Sequence, residues 1–235
     1  MEVHGLSRRG YVRKNNEDRY FVKRFSPSDC LLVVADGMGG TFGGDIAAQL
    51  ICDTMAGWQP ANTDLKEQLF DMVAVCQQQI LECEEKHPEL KGMGSTLTAA
   101  LVMGDAVYWA QVGDSRLYLQ HFDELAQITT DQNMAQELVE QGRMSPEEAR
   151  FSPYRNVLFQ CMGCKDWRPV VGKVQVEAGD VLLLCTDGLH GPVPAKNIAG
   201  ILHTMTTVLN KAELLVQEAL QAGGPDNVTV VVAEI

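Results

Sequence analysis

Apolar positions along the chain follow two rhythms, one staying hydrophobic at consecutive residues and the other returning every three or four. The continuous runs fall in residues 19–25, 30–35, 95–103, 106–112, 115–120, 180–186 and 227–234 and predict β-strands, several of them covered on both faces. Three segments have helical spacing: Ile46, Leu50, Ile51 and Met55; Leu65, Leu69, Met72, Val73, Cys76 and Ile80; and Leu209, Ala212, Leu215, Val216 and Ala219. Helices laid outside packed sheets would bury both patterns. Residues 131–168 break the rhythm. They are more polar and contain Ser145-Pro146-Glu147-Glu148, where the serine caps, the proline takes the first helical position and Glu148 closes a capping box. This stretch reads as a helical flap inserted between strands, either gating a site or simply solvated.

A chain of 235 residues with 46% hydrophobic content can bury a sizeable core, and we expect one domain over residues 1–235. The net charge of −12 argues against nucleic acid as a partner, since counterion release needs clustered Lys and Arg. Residues 1–19 carry too many charges for a signal-peptide core, and the apolar runs are too short for a bilayer, so no membrane insertion and a cytoplasmic location are expected. The seven cysteines lie mostly in apolar segments, which predicts reduced core thiols rather than a disulfide framework. Cys161 and Cys164 form a C-x-x-C with neither a second pair nor nearby histidines, so coincidental spacing is favoured over zinc or redox use. No oligomerisation signal stands out, and a monomer is expected.

The chemistry lies where strands end. "LLVVADGMGG" runs an apolar strand into Asp36-Gly37, "VLLLCTDGLHG" does the same at Asp187-Gly188, "YWAQVGDSR" ends a strand at Asp114, and "GPDNVTVVV" begins one at Asp226. One such Asp-Gly is most simply a hairpin turn. If the last strand is antiparallel to the others, however, all four carboxylates reach the same edge, where their mutual repulsion calls for a cation. Ligation by oxygen alone favours Mg²⁺ or Mn²⁺ over zinc. Gly37 lets its own carbonyl approach an ion, while Gly39, Gly40, Gly43 and Gly44 let the chain turn away. Arg13, four residues before Glu17-Asp18, offers either a bidentate phosphate contact or an ordinary surface ion pair.

In their order along the chain, "GLSRRGYVRKNNEDRY", "VVADGMGG", "GSTLTAALV", "VGDSRLYL", "LLLCTDGL" and "GPDNVTVVV" resemble the metal-dependent PP2C-type (PPM) protein serine/threonine phosphatases, in their compact bacterial form. The resemblance implies an α+β fold, a four-layer αββα sandwich of two mainly antiparallel sheets flanked by helices, with two Mn²⁺ or Mg²⁺ ions at one end. Asp36 would bridge both ions, Asp187 and Asp226 would complete one, and Glu17 with the Gly37 carbonyl the other. Asp18 would orient the water, Arg13 would hold the phosphate, and Asp114 would help to bind a weaker third ion. Hydrolysis of phosphoserine and phosphothreonine would follow from direct attack of a water held between the ions, without a phosphoenzyme.

Three departures stand out. Thr41 replaces a histidine common among bacterial relatives, which leaves His190 as a candidate general acid by position. Gly191 replaces an acidic residue, which counts against the third ion, and Gln160 replaces an arginine at the flap's end. "LFQCMG" with Asp166-Trp167 is similar to phosphatases associated with bacterial type VI secretion, implying phosphoprotein substrates and an opposing serine/threonine kinase. A non-catalytic phosphopeptide-binding scaffold and a two-metal small-molecule phosphatase or phosphodiesterase are the alternatives.

Overall fold

The computed structural model describes residues 1–38, 43–61 and 63–235. Gly39, Gly40 and Thr41 lie outside the described residues, so the expectations placed on them have no structural counterpart here. Two five-stranded antiparallel sheets form the centre. The first has the order β1 (Glu2–Arg8), β12 (Val228–Glu234), β11 (Val181–Cys185), β8 (Arg116–His121), β9 (Glu124–Gln127). The second has the order β10 (Val170–Gln175), β7 (Ala106–Val112), β6 (Leu97–Met103), β3 (Cys30–Ala35), β2 (Arg19–Arg24).

The period of two along each central strand sorts side chains into three apolar layers. From β3, Cys30, Leu32 and Val34 point between the sheets, where they meet Leu182 and Leu184 of β11 and Val231 of β12. Leu31, Val33 and Ala35 point outward beneath α1 (Gly44–Gly57) and α2 (Leu65–Lys86), packing on Ile51, Met55, Leu69 and Ile80. On the opposite side Leu183, Cys185, Val230 and Val232 lie under α6 (Ala195–His203) and α7 (Val208–Gln221), against Ile198, Leu202, Leu215 and Val216. Each such side chain contributes about 1.5–3 kcal/mol through burial. The four layers of the expected sandwich are therefore present.

Strand β12 runs antiparallel to β11, with Cys185 opposite Val230, so Asp187 beyond one strand and Asp226 before the other emerge at the same edge. Beyond β3, β4 (Gly37–Met38) pairs with β5 (Gly94–Ser95) in a short ribbon next to Asp36. A β-carbon on Gly37 would overlap the Gly44 carbonyl, so only glycine lets β4 pass this close to the start of α1.

Between β9 and β10 lie α3 (Met134–Glu140), α4 (Pro146–Phe151) and a 3₁₀ turn at Pro153–Asn156. The capping box at Ser145 and Glu148 is formed as expected. One expectation fails: Cys161 and Cys164 are joined in a disulfide, because a tight turn through Gly163, at φ +91°, brings their Cα atoms to 5.5 Å. The other five cysteines are free, as expected. Among the described residues no helix is long and apolar enough to cross a membrane.

Candidate metal centre

The ends of β3 and β11, the start of β12 and the turn between β7 and β8 deliver Asp36, Asp187, Asp226 and Asp114 to one end of the sandwich. The segment before β2 adds Glu17 and Asp18. All of these but Asp18 line two neighbouring clefts. One, of about 230 Å³, is lined by Arg13, Glu17, Asp36, Gly37, Asp226 and Asn227. The other, of about 270 Å³, lies beneath the flap and is lined by Asp114, Asp131, Arg155, Asp187, His190 and Gly191. Among the described residues no three of the acidic groups close into a ready-made cage. Arg13 Nη2 donates to Asp226 Oδ2 at 2.7 Å.

A threonine and serine network fixes Asp36. Its N–H donates to Thr96 Oγ1 at 3.0 Å, its carbonyl accepts from Thr96 N at 2.8 Å and from Ser95 Oγ at 3.0 Å, and Thr96 Oγ1 lies 2.7 Å from Ser115 Oγ. Asn227 joins the N-terminal segment to β12. Its side-chain oxygen accepts from Glu17 N at 2.8 Å, while its amide donates to the carbonyls of Arg9 and Asn15 at 2.9 and 2.8 Å. Asp18, 2% exposed, accepts from Thr186 Oγ1 at 2.8 Å through Oδ2. Among the described residues its Oδ1 and Asp187 Oδ1 are buried without a hydrogen-bond partner.

Electrostatics follow from this crowding. Burial, reinforced by Asp18, Asp187, Asp114 and Asp226, pushes Asp36 well above the usual carboxylate range. Burial together with Asp187 and Asp131 does the same to Asp114. Burial lifts Asp18 to about 7, against the hydrogen bonds from Thr229 and Thr186. Asp187 is raised to about 6 by burial and by Asp226, with Arg155 opposing. Glu17 is raised by burial and by Asp45. Several acids that resist ionisation together are a site that lacks only positive charge.

One expectation needs correcting. His190 is not placed as a general acid: its Nε2 lies 3.0 Å from the Asp114 carbonyl, and burial, aided by Arg116, lowers its pKa to about 3, so near neutral pH it is an uncharged donor to backbone. Arg13, the residue expected to hold a phosphate, is paired with Asp226 at 2.7 Å, in a cleft that Lys14 also lines. Gln160 has a buried side-chain oxygen without a partner. Sequence reasoning passed over Asn227, Thr96, Thr186 and Arg155. Arg155 fills the space left by Gly191, its Nη1 lying 3.1 Å from where a β-carbon would stand.

A family profile described as protein phosphatase 2C matches residues 8–222. The chain belongs to the protein phosphatase 2C family. Among its relatives, serine/threonine protein phosphatase PstP of Mycobacterium tuberculosis is 40% identical over 97% of this chain, which spans 44% of that protein's length. The crystal structure of the PstP catalytic domain in complex with two manganese ions superposes with a TM-score of 0.88 at 38% identity, covering 99% of this chain and 97% of that one. PppA, described as a key regulatory component of T6SS in Pseudomonas aeruginosa, gives a TM-score of 0.85 at 28% identity, over 100% of this chain and 97% of that one. The two-sheet architecture described above is thus the protein phosphatase 2C fold.

Proposed function

We propose that this protein phosphatase 2C chain is a metal-dependent hydrolase of phosphoserine and phosphothreonine in proteins. The observation that carries this reading is the gathering of Glu17, Asp18, Asp36, Asp114, Asp187 and Asp226 from distant parts of the chain at one end of the sandwich. Divalent ions fit it: every donor is an oxygen, two buried carboxylate oxygens lack a partner among the described residues, and burial with neighbouring acids holds Asp36 and Asp114 well above the carboxylate range, which a cation would offset. Asp36, Asp187 and Asp226 would hold one ion, and Asp36, Glu17 and the Gly37 carbonyl a second, with Asp114 available to a third. Mn²⁺ or Mg²⁺ bound there supplies Lewis-acid charge against phosphoryl oxygens and makes water acidic enough to attack at neutral pH.

The chain's own groups do the rest. Asp18 is anchored by Thr186 through Oδ2, which leaves Oδ1 to accept a hydrogen bond from the attacking water and fix its direction. Arg13, with a side chain 57% exposed, exchanges Asp226 for the phosphoryl oxygens when substrate enters. The flap supplies the wall along which a peptide lies. The similarity to PppA supports a setting in bacterial secretion signalling, where the chain would reverse a serine/threonine kinase.

The test is phosphate release from a phosphothreonine peptide, para-nitrophenyl phosphate and a dinucleotide, each with Mn²⁺, with Mg²⁺ and with chelator. Metal-dependent turnover of the peptide is expected. Absence of turnover on every substrate, or cleavage of the diester alone, would overturn the reading.

A further inference from the structure

We propose that Cys161 and Cys164 form a thiol–disulfide exchange site that sets how firmly the end of the flap is held against the candidate metal centre. The pair bounds a four-residue loop where the flap rejoins the body, with Cα atoms 5.5 Å apart, inside the range a disulfide spans. Gln77 of α2, itself only 3% exposed, grips the loop: its side-chain oxygen accepts from Gly163 N at 2.7 Å and its amide donates to the Cys164 carbonyl at 2.8 Å. Between the cysteines, Met162 is fully buried and exchanges backbone hydrogen bonds with Ser95, at 2.8 and 3.2 Å. The Ser95 hydroxyl in turn donates to the Asp36 carbonyl. A continuous line of bonded groups therefore joins the sulfurs to the residue on which the centre depends. Two further backbone bonds, Phe159 N to the Gln132 carbonyl and Met134 N to the Val157 carbonyl, tie the flap's two ends together immediately before this loop, which then clasps them to the body through Gln77 and Ser95.

Exposure decides the order of events. Cys164 is half-buried and Cys161 is 8% exposed, so an external disulfide reaches Cys164 first. The Cys164 thiolate attacks a low-molecular-weight disulfide and expels one external thiolate. Cys161 then attacks the Cys164 sulfur of the mixed disulfide, closes the intramolecular bond and expels the second. Two protein thiols lose two electrons and two protons, and the external disulfide leaves as two thiols; an excess of external thiol runs the sequence backwards. At Cys30, Cys52, Cys76 and Cys185 exchange is suppressed, because burial pushes the first three thiols up to about 12 and that of Cys185 higher still, whereas Cys83 of α2 is partly accessible but has no cysteine beside it in the loop with which to close a bond. Closing the loop removes backbone freedom at the clasp, so the oxidised chain presents the flap in one position.

The effect on turnover rests on the proposed phosphatase activity, whereas the exchange site and its hold on the flap do not. The full chain is equilibrated with oxidised or reduced glutathione, alkylated, and mapped by mass spectrometry. Amide hydrogen exchange of residues 131–168 and Mn²⁺-supported kinetics are then measured on both forms. Oxidation is expected to join Cys161 to Cys164 with no glutathione left attached to either, distinct from any mixed disulfide at Cys83, and to slow exchange in the flap. It should lower KM for a phosphothreonine peptide about threefold or more at unchanged kcat, with para-nitrophenyl phosphate unaffected. Cys161→Ser and Cys164→Ser should be fixed in the reduced pattern, and the second, at the more accessible position, keeps the test decisive if the first does not fold. A pair still alkylated after oxidation, or flap exchange identical in both forms, would overturn the proposal. Redox-dependent exchange without phosphate release would uphold it and count against the phosphatase reading instead.

Discussion

Asp36 and Arg13 occupy the same cleft, yet the physics of their contacts assigns them different kinetic signatures. Asp36 is fixed by Thr96 and Ser95 and is the carboxylate on which the repulsion of four others converges. Asp36→Asn should therefore remove the ions and lower kcat by about a thousandfold or more, whereas Arg13→Ala should cost about tenfold in kcat/KM, mainly through KM. Steady-state kinetics with Mn²⁺ on both variants checks the contrast, and equal losses would contradict it. Asp18 offers a pH test. Burial raises it to about 7 against a hydrogen bond from Thr186, so Thr186→Val should raise it further and move the acid limb of the kcat/KM profile to higher pH, with Thr186→Ser restoring the original limb. Asp36, Asp187 and Asp226 were legible in the sequence because an apolar run bounded by a carboxylate is locally conspicuous. Thr186, Asn227 and Arg155 were not, since each acquires its partners only when segments remote in sequence meet. His190 shows the converse: position made it a candidate acid, and burial makes it a neutral donor.

At the scale of elements, the strands that aim the acids are also the ones buried on both faces. Leu184 of β11 is fully buried between the sheets, three residues before Asp187. Leu184→Ala should cost about 2–5 kcal/mol in urea unfolding, depending on how far the cavity collapses, and should weaken Mn²⁺ binding by loosening the edge from which Asp187 projects. A loss under 1 kcal/mol would mean that the two sheets are less tightly joined than this packing requires. The same burial explains what could be read beforehand. β3, β6, β11 and β12 are apolar at nearly every position, and α1, α2 and α7 have one apolar stripe, so composition and period gave them away. β1, β9 and β10 are edge strands with mixed, partly exposed residues, and only pairing with a neighbour makes them strands. Helix α6 went unread for a related reason: it spans only Ala195–His203, too short to show its period clearly.

For the whole molecule, the acidic end of the sandwich couples stability, pH and metal. Asp18, Asp36 and Asp114 bind protons more tightly folded than unfolded, so the stability they contribute is present at low pH and is lost as pH rises through their folded values, about 7 for Asp18 and well above the ordinary range for the others. Two groups act in the opposite sense. His190, lowered to about 3, and Asp131, which Arg116 holds below its usual value despite burial, both favour the folded state as pH rises. Asp131 has finished titrating in both states well below pH 6, and His190 finishes in the unfolded state by about pH 7.5, which leaves the window from about pH 7.5 to 8.5 mainly to the carboxylates, with His121, raised by its hydrogen bond to Asp180, acting in the same sense. In chelator, the Tm should fall across that window by an amount equivalent to about 1 kcal/mol or more, roughly 2–4 °C per kcal/mol for a chain of this size. Millimolar Mn²⁺ should raise Tm at every pH and most at the alkaline end, because ions compete with protons for the same oxygens and binding there releases fewer of them. Asp36→Asn should lose most of that Mn²⁺ increment and flatten the slope in chelator. Scanning calorimetry at three pH values with and without Mn²⁺ measures both effects together. A Tm independent of pH in chelator, alongside a Mn²⁺ increment that does not change with pH, would show that the clustered acids do not govern the stability of this end of the fold.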